Sequence, residues 1–342
     1  MKNGVKILAI ALVLALVGIT MAMATGAREA AEERPSTLRM GLMETEGTAS
    51  AMAAQRLAEL VEQYTDGRYS VDVFPGAALG ETGDAIESVM DGGIQLWWNG
   101  ISWYENFADD FRIFSLNWAF DDNDHLLRFF ETDRFQVDMK DQLRALNLEM
   151  IGYQAFRNPR NVLSRVPIRG NEDLDGLLIR TPPQPMYVRS WAATGANPTQ
   201  MDYGEVYTAL RTGAIEAMEN PVDAAHGMSF QEVAKYYAET RHLLNPYATV
   251  MNRDLWESLS DADQEAFLRA AREAGEYHTA IVDEMENEIR EIWTNEHGVT
   301  FVEMNIPELA EKVRPLALEM EERGEWAPGL FDYVRSLSAA GR

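Results

Sequence analysis

Along most of its length the chain switches between two periodicities. Short segments alternate apolar and polar residues, or are apolar throughout. Longer segments between them place apolar residues three and four apart. Residues 37–41 read as a first strand. Ala53, Leu57, Leu60, Val61 and Tyr64 then fall at helical spacing until Asp66-Gly67 stops them. Residues 69–74 alternate as a strand that ends at Pro75-Gly76. A short helix over 84–90, an apolar strand over 94–98, a longer helix over 124–146 and a strand over 148–153 follow.

The same grammar returns after residue 156. Strands are expected at 177–180, 199–201 and 215–218, and helices at 186–194 and 204–211. Such alternation argues for α/β domains with mostly parallel sheets. The stretch 260–297 differs. Ser260 and Asp263 form an N-cap box, no proline and one glycine (Gly275) follow, and Gly298 closes the run. Phe267, Ala270, Ala274, Tyr277, Ile281, Met285, Ile289 and Ile292 recur at helical steps. One helix of that length is about 55 Å long, more than a small domain needs, so it is expected to run across two domains as a spine. The alternative is two helices meeting near Gly275.

The N-terminus adds location. Lys2 and Lys6 lead into an unbroken apolar stretch over 7–19, and Ala22-Met23-Ala24 supplies small residues for cleavage. That layout predicts a secretory signal peptide over 1–24, too short to span a bilayer comfortably; an uncleaved anchor is the alternative. The sequence holds no cysteine, which excludes disulfides, thiolate metal sites and a cysteine-linked lipid anchor. The rest of the 342 residues is long enough for two domains. The net charge is −25. Such a field repels nucleic acid, and it repels an anionic ligand at long range. Any anion site must therefore be built locally, from arginines and backbone amides.

Catalytic signatures are missing: no G-x-S-x-G, phosphate-binding loop, G-x-G-x-x-G or H-E-x-x-H occurs. The five histidines, His125, His226, His242, His278 and His297, have no partners at metal-ligand spacing. Asp121, Asp122 and Asp124 lack the glycine and distal glutamate of a calcium loop and read as a turn and helix cap. Glu44 and Glu46 could do acid–base work, but such pairs arise by chance among 55 acidic residues. No enzyme, metal or cofactor is expected. Two arginines stand out: Arg160 in Arg157-Asn158-Pro159-Arg160-Asn161, and Arg180 at the carboxyl end of an expected strand. Carboxyl ends of parallel strands are where α/β folds bind ligands, and a guanidinium there can clamp a carboxylate with two parallel hydrogen bonds. A structural salt bridge is the other reading of each.

The segment Gly195-Ala196-Asn197-Pro198-Thr199-Gln200-Met201-Asp202-Tyr203-Gly204-Glu205-Val206-Tyr207, continuing through Ala214-Ile215-Glu216-Ala217-Met218-Glu219-Asn220-Pro221, closely resembles the signature of the TRAP transporter solute-binding proteins, the DctP-type family. Glu172-Asp173-Leu174-Asp175-Gly176-Leu177-Leu178-Ile179-Arg180, Phe74-Pro75-Gly76-Ala77-Ala78-Leu79-Gly80 and Phe230-Gln231-Glu232-Val233 match as well, and the likeness spans about 37–322. The resemblance implies a two-lobed α/β periplasmic binding protein with a long helix spanning both lobes. Lobe I would hold 37–156 plus about 245–280, and lobe II 157–244 plus about 281–335. It implies capture of a small organic acid, possibly a sugar acid, for delivery to the membrane subunits of an ion-driven transporter from the periplasm.

By motif position, Arg180 would pair with the ligand carboxylate and Arg160 would be a second arginine of the site. Asn220 would be a polar contact, Tyr203 would pack on the ligand, and Asn99 would contribute from lobe I. Trp97-Trp98 departs from the small aliphatic residues usual there. Trp97 is expected in the core, while Trp98 and Trp103 are candidate pocket walls. A secreted hydrolase, a ligand-sensing receptor module and the binding protein of an ATP-driven transporter are the rival readings.

Overall fold

Thr48 starts the first long helix by accepting a hydrogen bond from the Ala51 amide on its hydroxyl, at 3.3 Å. That helix, α1 (Ala49–Tyr64), follows strand β1 (Ser36–Gly41) in a computed structural model that describes residues 36–339. The signal peptide expected over 1–24 lies outside the described residues. The chain continues through β2 (Tyr69–Phe74), α2 (Thr82–Met90), β3 (Leu96–Gly100), α3 (Asn123–Phe130), α4 (Lys140–Arg144) and β4 (Leu148–Ala155). It then forms β5 (Arg160–Ser164), β6 (Leu178–Thr181), α5 (Pro185–Ala193), β7 (Asn197–Gln200), α6 (Val206–Thr212), β8 (Ala217–Asn220), α7 (Val222–Gly227) and β9 (Tyr236–Leu243). Last come β10 (Tyr247–Asn252), α8 (Arg253–Ser258), α9 (Asp261–Asn295), β11 (Thr300–Glu303), α10 (Ile306–Glu322) and α11 (Leu330–Ser336).

Two sheets result, one in the order β2-β1-β3-β10-β4 and one in the order β11-β9-β5-β8-β6-β7. The expectation of mostly parallel pairing needs correcting. β10 runs antiparallel to both β3 and β4, and β5 runs antiparallel to both β8 and β9. The cause lies in two of the three places where the chain passes from one sheet to the other. The passages after β4 and after β9 each land a strand inside the sheet it enters, heading against its neighbours, whereas the third, through α9, adds β11 parallel at an edge.

The helix expected over 124–146 is broken. α3 stops at Phe130, a π-helical turn covers Arg134–Met139, and α4 resumes. Thr132 turns its hydroxyl back onto the Phe129 carbonyl at 2.7 Å, competing with the helix ladder. The wider turn lets Phe135 lie 4.6 Å from Phe130 and 5.0 Å from Tyr153, ring centre to ring centre. Asp122 caps α3 by accepting from the His125 amide, as its place in the acidic turn predicts.

α9 is a single helix of 35 residues, roughly 52 Å at the standard rise. Ser260 and Asp263 cap it reciprocally: the Asp263 amide donates to the Ser260 hydroxyl, which donates to the Asp263 carboxylate. Gly275 does not break it. It lies close against β4, where a Cβ would stand 3.3 Å from the Ala155 amide nitrogen. Phe267, Ala270, Ala271 and Ala274 belong to a core with α1 and the first sheet, whereas Ile289 and Trp293 belong to a core of the second sheet. α9 therefore spans both sheets.

Candidate functional site

A narrow cleft of about 60 Å³ lies where the strand ends of the two sheets meet. The first sheet's side supplies Glu44 just after β1, Asn99 near the end of β3, and Trp103; the second supplies Arg160, Arg180 and Asn220 from β5, β6 and β8. β6 and β7 run parallel, and so do β6 and β8, so their carboxyl ends deliver Arg180 and Asn220 to one edge.

Arg180 is 2 % exposed. Its Nε donates to the Met201 carbonyl at 2.8 Å, and the guanidinium carbon lies 5.7 Å from the Tyr203 ring centre. Its two terminal nitrogens make no hydrogen bond among the described residues. Burial pulls this guanidinium down to about 10, against the field of Glu219; it stays charged at neutral pH.

Arg160 lines the same cleft in a different state. Its Nη2 donates to Glu219 Oε1 at 2.8 Å and to the Glu219 carbonyl at 2.9 Å, and its Nε donates to the other carboxylate oxygen. Glu219, fully buried, also accepts from His242 Nε2 at 3.0 Å, while His242 Nδ1 meets the Thr240 hydroxyl at 2.9 Å. Burial pushes the Glu219 carboxyl up, but Arg160 and His242 outweigh it and hold it at about 2. Burial keeps His242 below the ordinary histidine range and therefore neutral, so Nε2–H is the donor to the carboxylate. Of the two readings of Arg160, the buried salt bridge is present, and the residue faces the cleft with its charge already matched.

Asn220 Nδ2 donates to the Tyr203 hydroxyl at 2.8 Å, and that hydroxyl donates to the Ala224 carbonyl at 3.0 Å. Tyr203 thus lines the cleft with its hydroxyl committed to protein. Asn99 lines it too, with its oxygen taken by the Tyr104 hydroxyl at 2.7 Å.

Trp98 is not a wall of the cleft, which corrects its reading as a pocket residue. It is 1 % exposed and packs on Tyr247 and His278 in the core shared with α1 and α9. Side chains alternate along β3, so Trp98 points away from the face that carries Trp97 and Asn99. Trp97 is in the core, and Trp103 is the tryptophan that reaches the cleft.

Several cleft residues escaped the sequence reading. Glu44 follows the carboxyl end of β1, the same signal that marks Arg180, and was set aside as one of many acids. Its Oε1 accepts from the Tyr247 hydroxyl at 2.5 Å. Glu81 and Asp202 also line the cleft. Burial and the neighbouring Asp202 raise the Glu81 carboxyl, and Arg180 opposes them.

Residues 40–323 match the family model of DctP, the bacterial extracellular solute-binding proteins of family 7. A solute-binding protein of Roseobacter denitrificans is 30 % identical over 89 % of this chain and 95 % of its own length. The sialic acid-binding periplasmic protein SiaP of Vibrio cholerae is 27 % identical over 89 % of this chain and 94 % of its own. A crystal structure of a TRAP periplasmic solute-binding protein from Roseobacter denitrificans, with bound L-galactonate, superposes with a TM-score of 0.79 at 30 % identity, covering 88 % of this chain and 98 % of that one.

Proposed function

Because the chain belongs to family 7 of the bacterial extracellular solute-binding proteins, we propose that it captures a small organic acid between its two sheets and hands it to the membrane subunits of a TRAP transporter. The observation that carries this is Arg180: a buried guanidinium at the strand ends of a cleft, with two terminal nitrogens that no protein group uses. A carboxylate is the group whose geometry matches that fork. Arg160, already neutralised by Glu219, supplies a fixed polar surface beside it.

The two lobes, 37–156 with about 245–280 and 157–244 with about 281–335, would close on the ligand about the chain crossings. Closure removes water, which strengthens the attraction between guanidinium and carboxylate. A micromolar affinity needs about −8 kcal/mol, and charge-assisted hydrogen bonds contribute about 1.5–3 kcal/mol each. Two such bonds and aromatic packing from Tyr203 and Trp103 supply most of that. Glu44, Glu81 and Asp202 accept hydrogen bonds and repel a second carboxylate, which favours a hydroxylated monocarboxylate, a sugar acid. L-Galactonate and sialic acid, bound by the relatives above, have that character. The leader expected over 1–24 and the periplasmic location of a relative such as SiaP support export to the periplasm, and the role proposed is carriage, with no chemical step.

The test is a thermal-shift screen of the purified chain, from residue 25, against organic and sugar acids, with Arg180→Ala in parallel. Acids that raise the melting temperature of the parent alone support the reading. Stabilisation by neutral sugars or amines with none from acids overturns it.

A further inference from the structure

Arg157, on the crossing between β4 and β5, is 4 % exposed, and its Nε and Nη2 are buried without a hydrogen-bond partner among the described residues. It lies over the Tyr247 ring instead, 4.4 Å from the ring centre. A permanently charged group held this way is costly unless an anion repays its desolvation. Tyr247 leads to that anion, since its hydroxyl donates to Glu44 Oε1. The other Glu44 oxygen, Oε2, is buried with no partner among the described residues, and the residue lines the cleft. A carboxylate with one oxygen fixed from behind and the other unpaired is an acceptor awaiting a donor.

We propose that Arg157 and Tyr247 are positioning residues that hold Glu44 as an ionised acceptor for a ligand hydroxyl, so that this trio sets the preference for hydroxylated over plain carboxylic acids. The proposal rests on the reading of the cleft as an organic-acid site and assigns its second half. The groups around Glu44 are Tyr247 from β10, Arg157 from the crossing, Asp223 from α7 and Tyr203 from the turn before α6. His278 of α9 faces Arg157 and Asp223. Burial raises the Glu44 carboxyl, Asp223 adds to the rise, and Arg157 is the strongest opposing influence. Removing Arg157 therefore pushes Glu44 toward its protonated form. A protonated carboxyl is a weaker acceptor for a hydroxyl and offers a donor the ligand does not need.

The experiment has two arms. In the ligand-free protein, the side-chain carboxyl of Glu44 is titrated by ¹³C NMR in the parent, Arg157→Met, Arg157→Lys and Tyr247→Phe. The midpoint should rise by about one pH unit or more in Arg157→Met and return toward the parent in Arg157→Lys. An unchanged midpoint in Arg157→Met overturns the positioning role, whatever the protein binds. In the second arm, calorimetry at pH 7 compares L-galactonate, D-glucuronate and hexanoate. Glu44→Gln and Arg157→Met should each lower the preference for the two hydroxylated acids over hexanoate roughly tenfold. Hydroxylated acids that bind Glu44→Gln as they bind the parent overturn the acceptor role. If none of the three binds the parent, the acceptor role is overturned and the titration judges the positioning of Glu44 alone. Binding that survives Arg180→Ala condemns the carboxylate anchor and leaves the Glu44 titration untouched, so the two failures are distinguishable.

Discussion

The Trp97 ring fills the space that a side chain at position 41 would need: a Cβ built on Gly41 would stand 2.1 Å from Trp97 Cζ3. β1 and β3 are parallel neighbours, with Gly41 paired to Trp97 itself. The bulky indole, unusual at that place in the resemblance, is accommodated by a missing side chain on the next strand. Gly41→Ala should destabilise the protein by about 1–3 kcal/mol, as overpacking does. Adding Trp97→Leu should recover part of the loss. Urea unfolding of the two single variants and the double variant measures the coupling.

Trp98 packs away from the cleft. Trp98→Phe should therefore cost stability, on the order of 1–3 kcal/mol from the cavity left against Tyr247 and His278. Its ligand affinity should stay within about twofold of the parent, far below one lost charge-assisted hydrogen bond. Calorimetry with the best acid from the thermal screen checks this.

Arg180→Ala should weaken carboxylate binding by about 2–5 kcal/mol, because it strands a desolvated anion. Arg180→Lys should recover only part of it, since an ammonium cannot form the two parallel bonds. A loss under about threefold in calorimetry would rule Arg180 out as the anchor.

Glu219→Gln leaves Arg160 buried with no counter-charge and one oxygen for the three donors that two oxygens served, with an NH2 group set against the rest. A loss of about 3–5 kcal/mol in unfolding free energy is expected. Replacing His242 with Gln, which keeps a donor, should cost less.

His278 gives a pH dependence. Burial lowers it from 6.5 to about 4, so the folded protein binds its proton less readily than the unfolded chain. Its contribution to stability is therefore complete above pH 6.5 and is lost as pH falls from 6.5 toward 4, by roughly 3 kcal/mol at most. Urea midpoints across that window should fall less steeply in His278→Gln than in the parent.

What the chain disclosed in advance was local or periodic. α9 was legible because cap, period and stop all lie within one stretch of sequence. Arg180 was legible because a strand followed by arginine is a short-range pattern. The π-helical turn was hidden because the packing of Phe130 and Phe135 against Tyr153, on the following strand, decides it. β10 was hidden as an antiparallel insert because nothing near residue 250 says which strands it will join. Trp98 and Asn99 are adjacent, and which of them faces the cleft depends on the phase of β3 against its neighbours. Glu44 looked like any acid until Tyr247 was seen to hold it.

α9 is bonded along its early turns to one sheet and near its end to the other, and between Val282 and Ile289 it buries no side chain. That makes it a beam clamped at both ends with one unsupported length. Relative movement of the sheets would be absorbed as bending over those six residues, where Met285 is the one apolar side chain packed on a core. The helix would act as the spring against which ligand closure works, and its stiffness would help set how long the cleft stays shut.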